Sequence, residues 1–168
     1  MKSKRNVVLI LVDQLRPDFI GPYGSDFIRT PTLDALASEG VTFDNAITAS
    51  TVCAPARGAV LTGKFVSGHD AWTNDMPFKE GNVFLPERLN EAGYMTAAVG
   101  CSDHVSPDNS RGFQYQCIFD PGNPDGLYMK QLKAAYPKAC KWAEDDGTMH
   151  FAYPEAHHFD RWNCDRAT

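Results

Sequence analysis

The sequence predicts an α/β fold, and three observations carry that prediction. Residues 6–12, Asn-Val-Val-Leu-Ile-Leu-Val, are of strand length and apolar without a break from Val7 to Val12. Residues 30–40 then read as a helix bounded by Pro31 and Gly40, and a second strand-like stretch, 41–47, follows at once. Strand, helix and strand in alternation mark an α/β chain.

Each element has its own warrant. The run 6–12 is rich in Val, Ile and Leu and is expected as a fully buried strand. It ends in Asp13-Gln14, and in open α/β sheets ligands gather at the carboxyl ends of strands. In the helix at 30–40, Thr30 can cap, Pro31 suits the first turn and Gly40 can end it. Leu33, Leu36 and Ala37 give that helix an apolar face. Residues 55–61 read as another helix, with Cys53 at or just before its start. A third spans 86–92 and is stopped by Gly93, and 94–99 is a third strand. Residues 102–126, rich in Gly, Pro, Asp and Asn, read as a long loop of the kind that is functional or flexible. A helix then starts with Asn123 as cap and Pro124 at its first position. Leu127, Leu132 and Ala135 share one of its faces and Pro137 ends it; the beginning of a last helix occupies 158–168.

Composition narrows the function. The 168 residues are 43% hydrophobic and 22% charged, an ordinary globular balance for one domain. A net charge of -5 argues against nucleic acid or an anionic membrane as partner. An anionic substrate therefore needs a local positive site, made by a metal or by a few Arg and Lys. The basic start, Met1-Lys-Ser-Lys-Arg5, precedes an apolar run too short for a signal peptide's core or a membrane span. The expected location is cytoplasmic. Five cysteines stand at 53, 101, 117, 140 and 164, and no CxxC pair supports zinc-ribbon or thioredoxin chemistry. Mostly reduced thiols are expected.

The informative stretch is Cys53-Ala-Pro-Ala-Arg57-Gly-Ala-Val-Leu61-Thr62-Gly63. It sets a thiol at the mouth of a helix, where backbone N–H groups and the dipole favour anions. Arg57, four residues on, can return toward that mouth as a bidentate donor for an oxyanion. The residues alone give two readings: a nucleophile beside an anion site, or a buried structural cysteine at a helix start.

Cys-x-Pro-x-Arg followed by Leu-Thr-Gly resembles the sulfatase signature, in which the cysteine is oxidised to formylglycine. Further blocks are similar to the family in the same order: Asn6-Val-Val-Leu-Ile-Leu-Val-Asp13-Gln14, Pro31-Thr-Leu-Asp-Ala-Leu-Ala-Ser-Glu-Gly40, Val41-Thr-Phe-Asp-Asn-Ala46, Thr73-Asn-Asp-Met-Pro77 and Leu85-Pro-Glu-Arg-Leu-Asn-Glu-Ala-Gly-Tyr-Met-Thr-Ala97. The resemblance is good over about 1–100 and looser over 101–168.

The resemblance implies an alkaline-phosphatase-like mixed sheet flanked by helices, of which 1–168 is the N-terminal, truncated part. It implies a hydrated formylglycine at position 53, one hydroxyl attacking sulfur and displacing the alcohol, the other losing its proton to expel sulfate and regenerate the aldehyde. Asp13, Gln14 and residue 53 fall on metal-ligand positions, for Ca2+ foremost and Mg2+ or Mn2+ as alternatives. Arg57 would stabilise charge on the transferring group. The implied partners are a small anionic ester and a formylglycine-generating maturation enzyme.

Two departures bear on the branch. Many sulfatases carry a second Asp where Gln14 stands, and Asp-Gln looks more like the choline-sulfatase and phosphonate monoester hydrolase branches. After Gly100 the family's Lys-x-His is replaced by Cys101-Ser102-Asp103, with His104 one place late and a candidate substrate ligand. His69 and Asp70 are expected at a surface turn, and His157-His158 as structural or surface residues, since neighbours on a helix point apart. Lys64 stands where the family often has Arg or Lys, with no assigned role. The remaining metal ligands are expected beyond this sequence, so the 168 residues alone are expected to be inactive. Phosphonate or phosphate ester hydrolysis, and a catalytically inactive remnant, are the alternatives.

Overall fold

Proline and glycine set most of the helix boundaries. A computed structural model describes residues 5–100, 111–118, 126–137, 143–145, 148–150 and 153–167. They fall into two units, Met1–Thr48 and Ala49–Thr168.

In the first unit, single 3-10 turns at Pro17–Phe19 and Gly21–Tyr23 precede helix α1, Pro31–Glu39. Pro31 opens α1 as predicted, because its missing N–H costs nothing in a first turn. Thr30 is the N-cap residue, but its hydroxyl serves elsewhere. Oγ1 accepts from the Gly21 N–H at 2.8 Å and donates to Asp34 Oδ1 at 2.9 Å, tying the preceding turn to the helix. Phe19 and Phe27 pack edge to face at 5.3 Å.

Residues 6–12 and 41–47 correct the prediction, since neither stretch carries a strand. Val8 is 82% exposed and Ile47 91%. The physical reason is that strand preference is largely a matter of cross-strand packing and ladder hydrogen bonds. No described residue forms a strand ladder with either stretch, and both are exposed throughout; 41–47 turns at Asp44-Asn45, and the Tyr23 hydroxyl donates to its Phe43 carbonyl at 2.8 Å.

The second unit holds helices α2 (Cys53–Thr62), α3 (Val66–His69), α4 (Leu85–Glu91), α5 (Leu127–Ala135) and α6 (Phe159–Ala167). Strands β1 (Ala97–Gly100) and β2 (Tyr115–Ile118) pair in parallel, with Ala97 opposite Tyr115 and Gly100 opposite Ile118. Strands β3 (Ala143–Asp145) and β4 (Thr148–His150) form an antiparallel pair. β2 lies inside the stretch expected as loop. Its entry is pinned by Thr96, whose carbonyl accepts from the Gln114 and Tyr115 N–H groups, both at 3.1 Å. α4 begins where the Glu87 carboxylate accepts the Phe84 N–H at 2.6 Å, an acidic cap of the kind that favours a helix start.

α5 begins at Leu127, with Asn123 and Pro124 outside the described residues. Its buried face is Tyr128, Met129 and Leu132 rather than the expected Leu127, Leu132 and Ala135, and Leu127 is half exposed. These side chains close a core with Cys117 of β2 and Trp162 of α6. Tyr136, Tyr153 and Phe159 pack against it. The Trp162 indole N–H is satisfied by Gln131 Oε1 at 2.7 Å. α6 runs nine residues within the expected 158–168, and Trp162 anchors it in this core.

Tyr128 donates its hydroxyl to the His157 carbonyl at 2.9 Å. Burial, with Tyr153 adding to it, pushes its pKa from 10.0 up to about 12. The neutral phenol is thus favoured in the folded state. Its contribution is complete below pH 10 and is lost as pH rises through about 12. Stability should therefore fall across that alkaline window. Denaturant midpoints at pH 9 and 11 for the native protein and Tyr128→Phe test this, the variant showing the shallower loss. No helix among the described residues is long and apolar enough to cross a membrane.

Candidate active site

α2 carries the signature cysteine at its first position. Val52, the N-cap residue, has no side-chain oxygen to take a first-turn N–H. Pro55 removes one donor from that turn, and the Ala56 N–H reaches the Val52 carbonyl at 3.0 Å. The Ala54 N–H is capped from a distance: Asn74 Oδ1 accepts it at 3.0 Å. Gly63, at φ +67, closes the other end by donating to the Ala59 carbonyl at 2.9 Å, a left-handed stop that glycine takes without strain.

The Cys53 thiol is half-buried and reduced, and it meets the same amide. Asn74 Nδ2 donates to Sγ at 3.3 Å, and Oδ1 lies 3.5 Å from the sulfur. Since the Ala54 N–H can only donate, it fixes Oδ1 on its side and leaves Nδ2 facing the sulfur. Arg57 is half-buried one helical turn on, a spacing that puts i and i+4 on a common face. Exposed Cys164 and buried Cys117 are also free thiols, but neither stands at a helix start.

Behind α2 lies a packed aromatic block. His69 is fully buried, which corrects the expected surface turn. Its Nδ1 accepts the Ala71 N–H at 3.2 Å, so the ring carries its proton on Nε2. The ring sits 5.4 Å from Phe78, which packs edge to face on Phe84 at 5.4 Å. Arg111 lies over both phenyl rings, at 5.1 and 4.8 Å. Gly58, at the middle of α2, is the point of closest approach. A Cβ there would overlap the Phe78 ring and lie 3.3 Å from His69 Cε1. Asp70 is exposed in the left-handed region, φ +66, and accepts from the Trp72 indole N–H at 2.9 Å.

Asp13 and Gln14 belong to the first unit. Both are exposed, at an open recess of 390 Å3 lined also by Phe19, Ile20, Ile28 and Leu33. Gln14 adopts φ +53. Their oxygens suit a hard cation, though two donors fall short of the six or more such a cation takes. Among the described residues no group of three or more His, Cys, Asp or Glu side chains gathers to hold a metal. His104 and Cys101 lie outside the described residues. Lys64 donates to Asn82 Oδ1 at 2.6 Å. His157 and His158 are half-buried beside α6, as expected of structural residues.

Asn74 is the site residue that sequence reasoning missed. Its one cue was indirect, in that a helix start preceded by Val52 and lacking a local capping oxygen must find one elsewhere.

A small sheet with flanking helices, with Cys53 at one helix start, defines an alkaline-phosphatase-like mixed α/β fold. A crystal structure of phosphonate monoester hydrolase of Agrobacterium radiobacter has that fold. It superposes with a TM-score of 0.71 at 20% identity, covering 89% of this chain and 36% of the other. The sulfatase family model matches residues 5–161, and the chain belongs to the sulfatase family. An arylsulfatase from Clostridium perfringens is 38% identical over 120 residues, 70% of this chain and 24% of its own. The multifunctional alkaline phosphatase superfamily protein PehA of Trinickia caryophylli is 39% identical over 112 residues, 63% of this chain and 21% of its own. The chain thus spans about a quarter of the length of these relatives. Their near-equal identities single out no branch of the superfamily.

Proposed function

We propose that the protein hydrolyses sulfate esters, with position 53 as the nucleophile after a maturation enzyme has converted Cys53 to formylglycine. The observation that carries this reading is the Cys53 thiol at the mouth of α2 with an amide N–H 3.3 Å from it. Formylglycine fits there, since an oxygen on Cβ would find the same donor that now faces the sulfur. The hydrated aldehyde would supply two hydroxyls: one bonds to the ester's central atom as the bond to the alcohol breaks and the alcohol leaves, and the other loses its proton and expels the bound anion, restoring the aldehyde.

This chain's own residues do the rest. The first-turn N–H groups of α2 and its dipole attract the anionic ester. Arg57, on the same helix face, pairs with the ester's oxygens and holds them as charge builds. Asp13 and Gln14 furnish two oxygens toward a divalent cation, Ca2+ before Mg2+ or Mn2+; the cation supplies Lewis-acid polarisation when bound. His104 is a candidate substrate ligand.

Gln14 favours a second reading, phosphonate or phosphate ester hydrolysis, because a neutral carbonyl in place of a carboxylate leaves the cation site less negative. Peptide mapping across Cys53 in protein from its native source, paired with assays on an aryl sulfate and a phosphonate monoester, tests both. An aldehyde at 53 with faster sulfate turnover is the expected result. An aldehyde with faster phosphonate turnover favours the second reading. An unmodified thiol with no turnover of either ester overturns both in favour of an inactive chain.

A further inference from the structure

We propose that Asn74 is a positioning residue for position 53, a bidentate latch that fixes the start of α2 with one end of its amide and aims a hydrogen-bond donor at the reactive side chain with the other. The role deepens the hydrolase reading of position 53 and rests on it for its catalytic meaning. The geometry stands apart from that reading. Asn74 reaches back across 21 residues, and both ends of its amide are engaged at α2. Oδ1 takes the Ala54 N–H at 3.0 Å, replacing the cap that Val52 lacks. Nδ2 is then held 3.3 Å from Sγ, with no freedom to flip, because a flipped amide would set N–H against N–H at Ala54.

The two ends have different consequences. The Oδ1 end serves the helix start and would matter in any folded protein with this start; at 3.5 Å it also accepts from the neutral Cys53 thiol. The Nδ2 bond serves only the atom on Cβ of residue 53. It strengthens when that atom carries negative charge, as a thiolate does, because hydrogen bonds to ionised acceptors are the strong ones. An oxygen on the same carbon receives the same N–H. The latch therefore holds the side chain of residue 53 in one orientation against the start of α2.

Asn74→Asp separates the two ends. It is isosteric, keeps an oxygen for the Ala54 N–H, and replaces the donor with a second acceptor. The full-length protein is produced in a host without a formylglycine-generating enzyme, so that position 53 stays a thiol, and is treated with iodoacetamide at fixed pH. Alkylation is followed by peptide mass mapping, with exposed Cys164 as the internal reference. The expected result is at least a roughly tenfold slower alkylation of Cys53 in Asn74→Asp, the loss of one hydrogen bond to a charged group together with repulsion from the new carboxylate. The Cys164 rate and the melting temperature should stay unchanged. Asn74→Ala loses both ends and should slow Cys53 and also lower the melting temperature. Equal Cys53 rates in native protein and Asn74→Asp overturn the proposal. Should Asn74→Asp not fold, the side-chain amide resonance of Asn74 in the native protein decides: it should shift on alkylation of Cys53, and an unmoved resonance overturns the latch. If the latch passes and no sulfate, phosphonate or phosphate ester is turned over, the hydrolase reading falls alone. If esters are turned over and the Cys53 rate is unchanged, the latch falls alone.

Discussion

Cys53→Ala in the full-length protein should lower ester turnover by at least about a thousandfold, since removal of a covalent nucleophile leaves only binding and charge stabilisation. The variant should fold normally. Cys53 is half-buried at a helix start, and alanine is a good helix former. Cys53→Ser should be equally inactive, because a single hydroxyl cannot both attack and release the anion. Cys164→Ala is the matched control, an exposed thiol on α6 whose loss should leave turnover within about twofold, the scale of ordinary surface substitutions. Initial rates on an aryl sulfate, with circular dichroism to confirm folding, check all three. Equal losses in Cys53→Ala and Cys164→Ala would remove position 53 from the chemistry.

Leu132→Ala should destabilise the protein by about 2–5 kcal/mol, the usual cost of emptying a buried leucine site. Leu132 is 2% exposed and lies in the cluster formed by α5, β2 and α6. The surrounding rings are stiff: Tyr128 and Trp162 meet edge to face at 5.7 Å, and each has a hydrogen bond fixing its polar end. Such a cluster collapses poorly around a void, which places the expected loss in the upper half of that range. Denaturant unfolding with an unchanged slope would report it. A loss under about 1 kcal/mol would mean that the site refills and is not a close-packed core.

Much of the site was legible because its signals are local. Cys53, Pro55 and Gly63 announce a helix with a thiol at its mouth, and α2 runs from Cys53 to Thr62. The boundaries of α1 and α4 follow from Pro31 and Pro86 near their starts and Gly40 and Gly93 near their ends in the same way. What sequence did not give depends on partners distant along the chain. Residues 6–12 have every compositional mark of a strand, yet a strand exists only where another supplies its ladder. Asn74 is one polar residue in a turn until the chain folds and brings it to Ala54. His69 reads as a turn histidine because nothing in Gly-His-Asp-Ala says that Phe78 will cover it. His104 lies outside the described residues, so its expected role rests on the sequence alone.

The contact at Gly58 carries a lesson for anyone seeking a more heat-resistant variant. Exchanging a helical glycine for alanine is among the most dependable stabilising edits, worth about 0.5–1 kcal/mol where the new methyl has room. Here that methyl would collide with Phe78, and the ring in turn supports His69, Phe84 and Arg111. An algorithm scoring helix propensity alone would choose this substitution early, and it would wedge the helix that carries Cys53 off its aromatic bed. The safer edits on α2 lie at its exposed position, Val60, where added helix preference meets solvent instead of a ring.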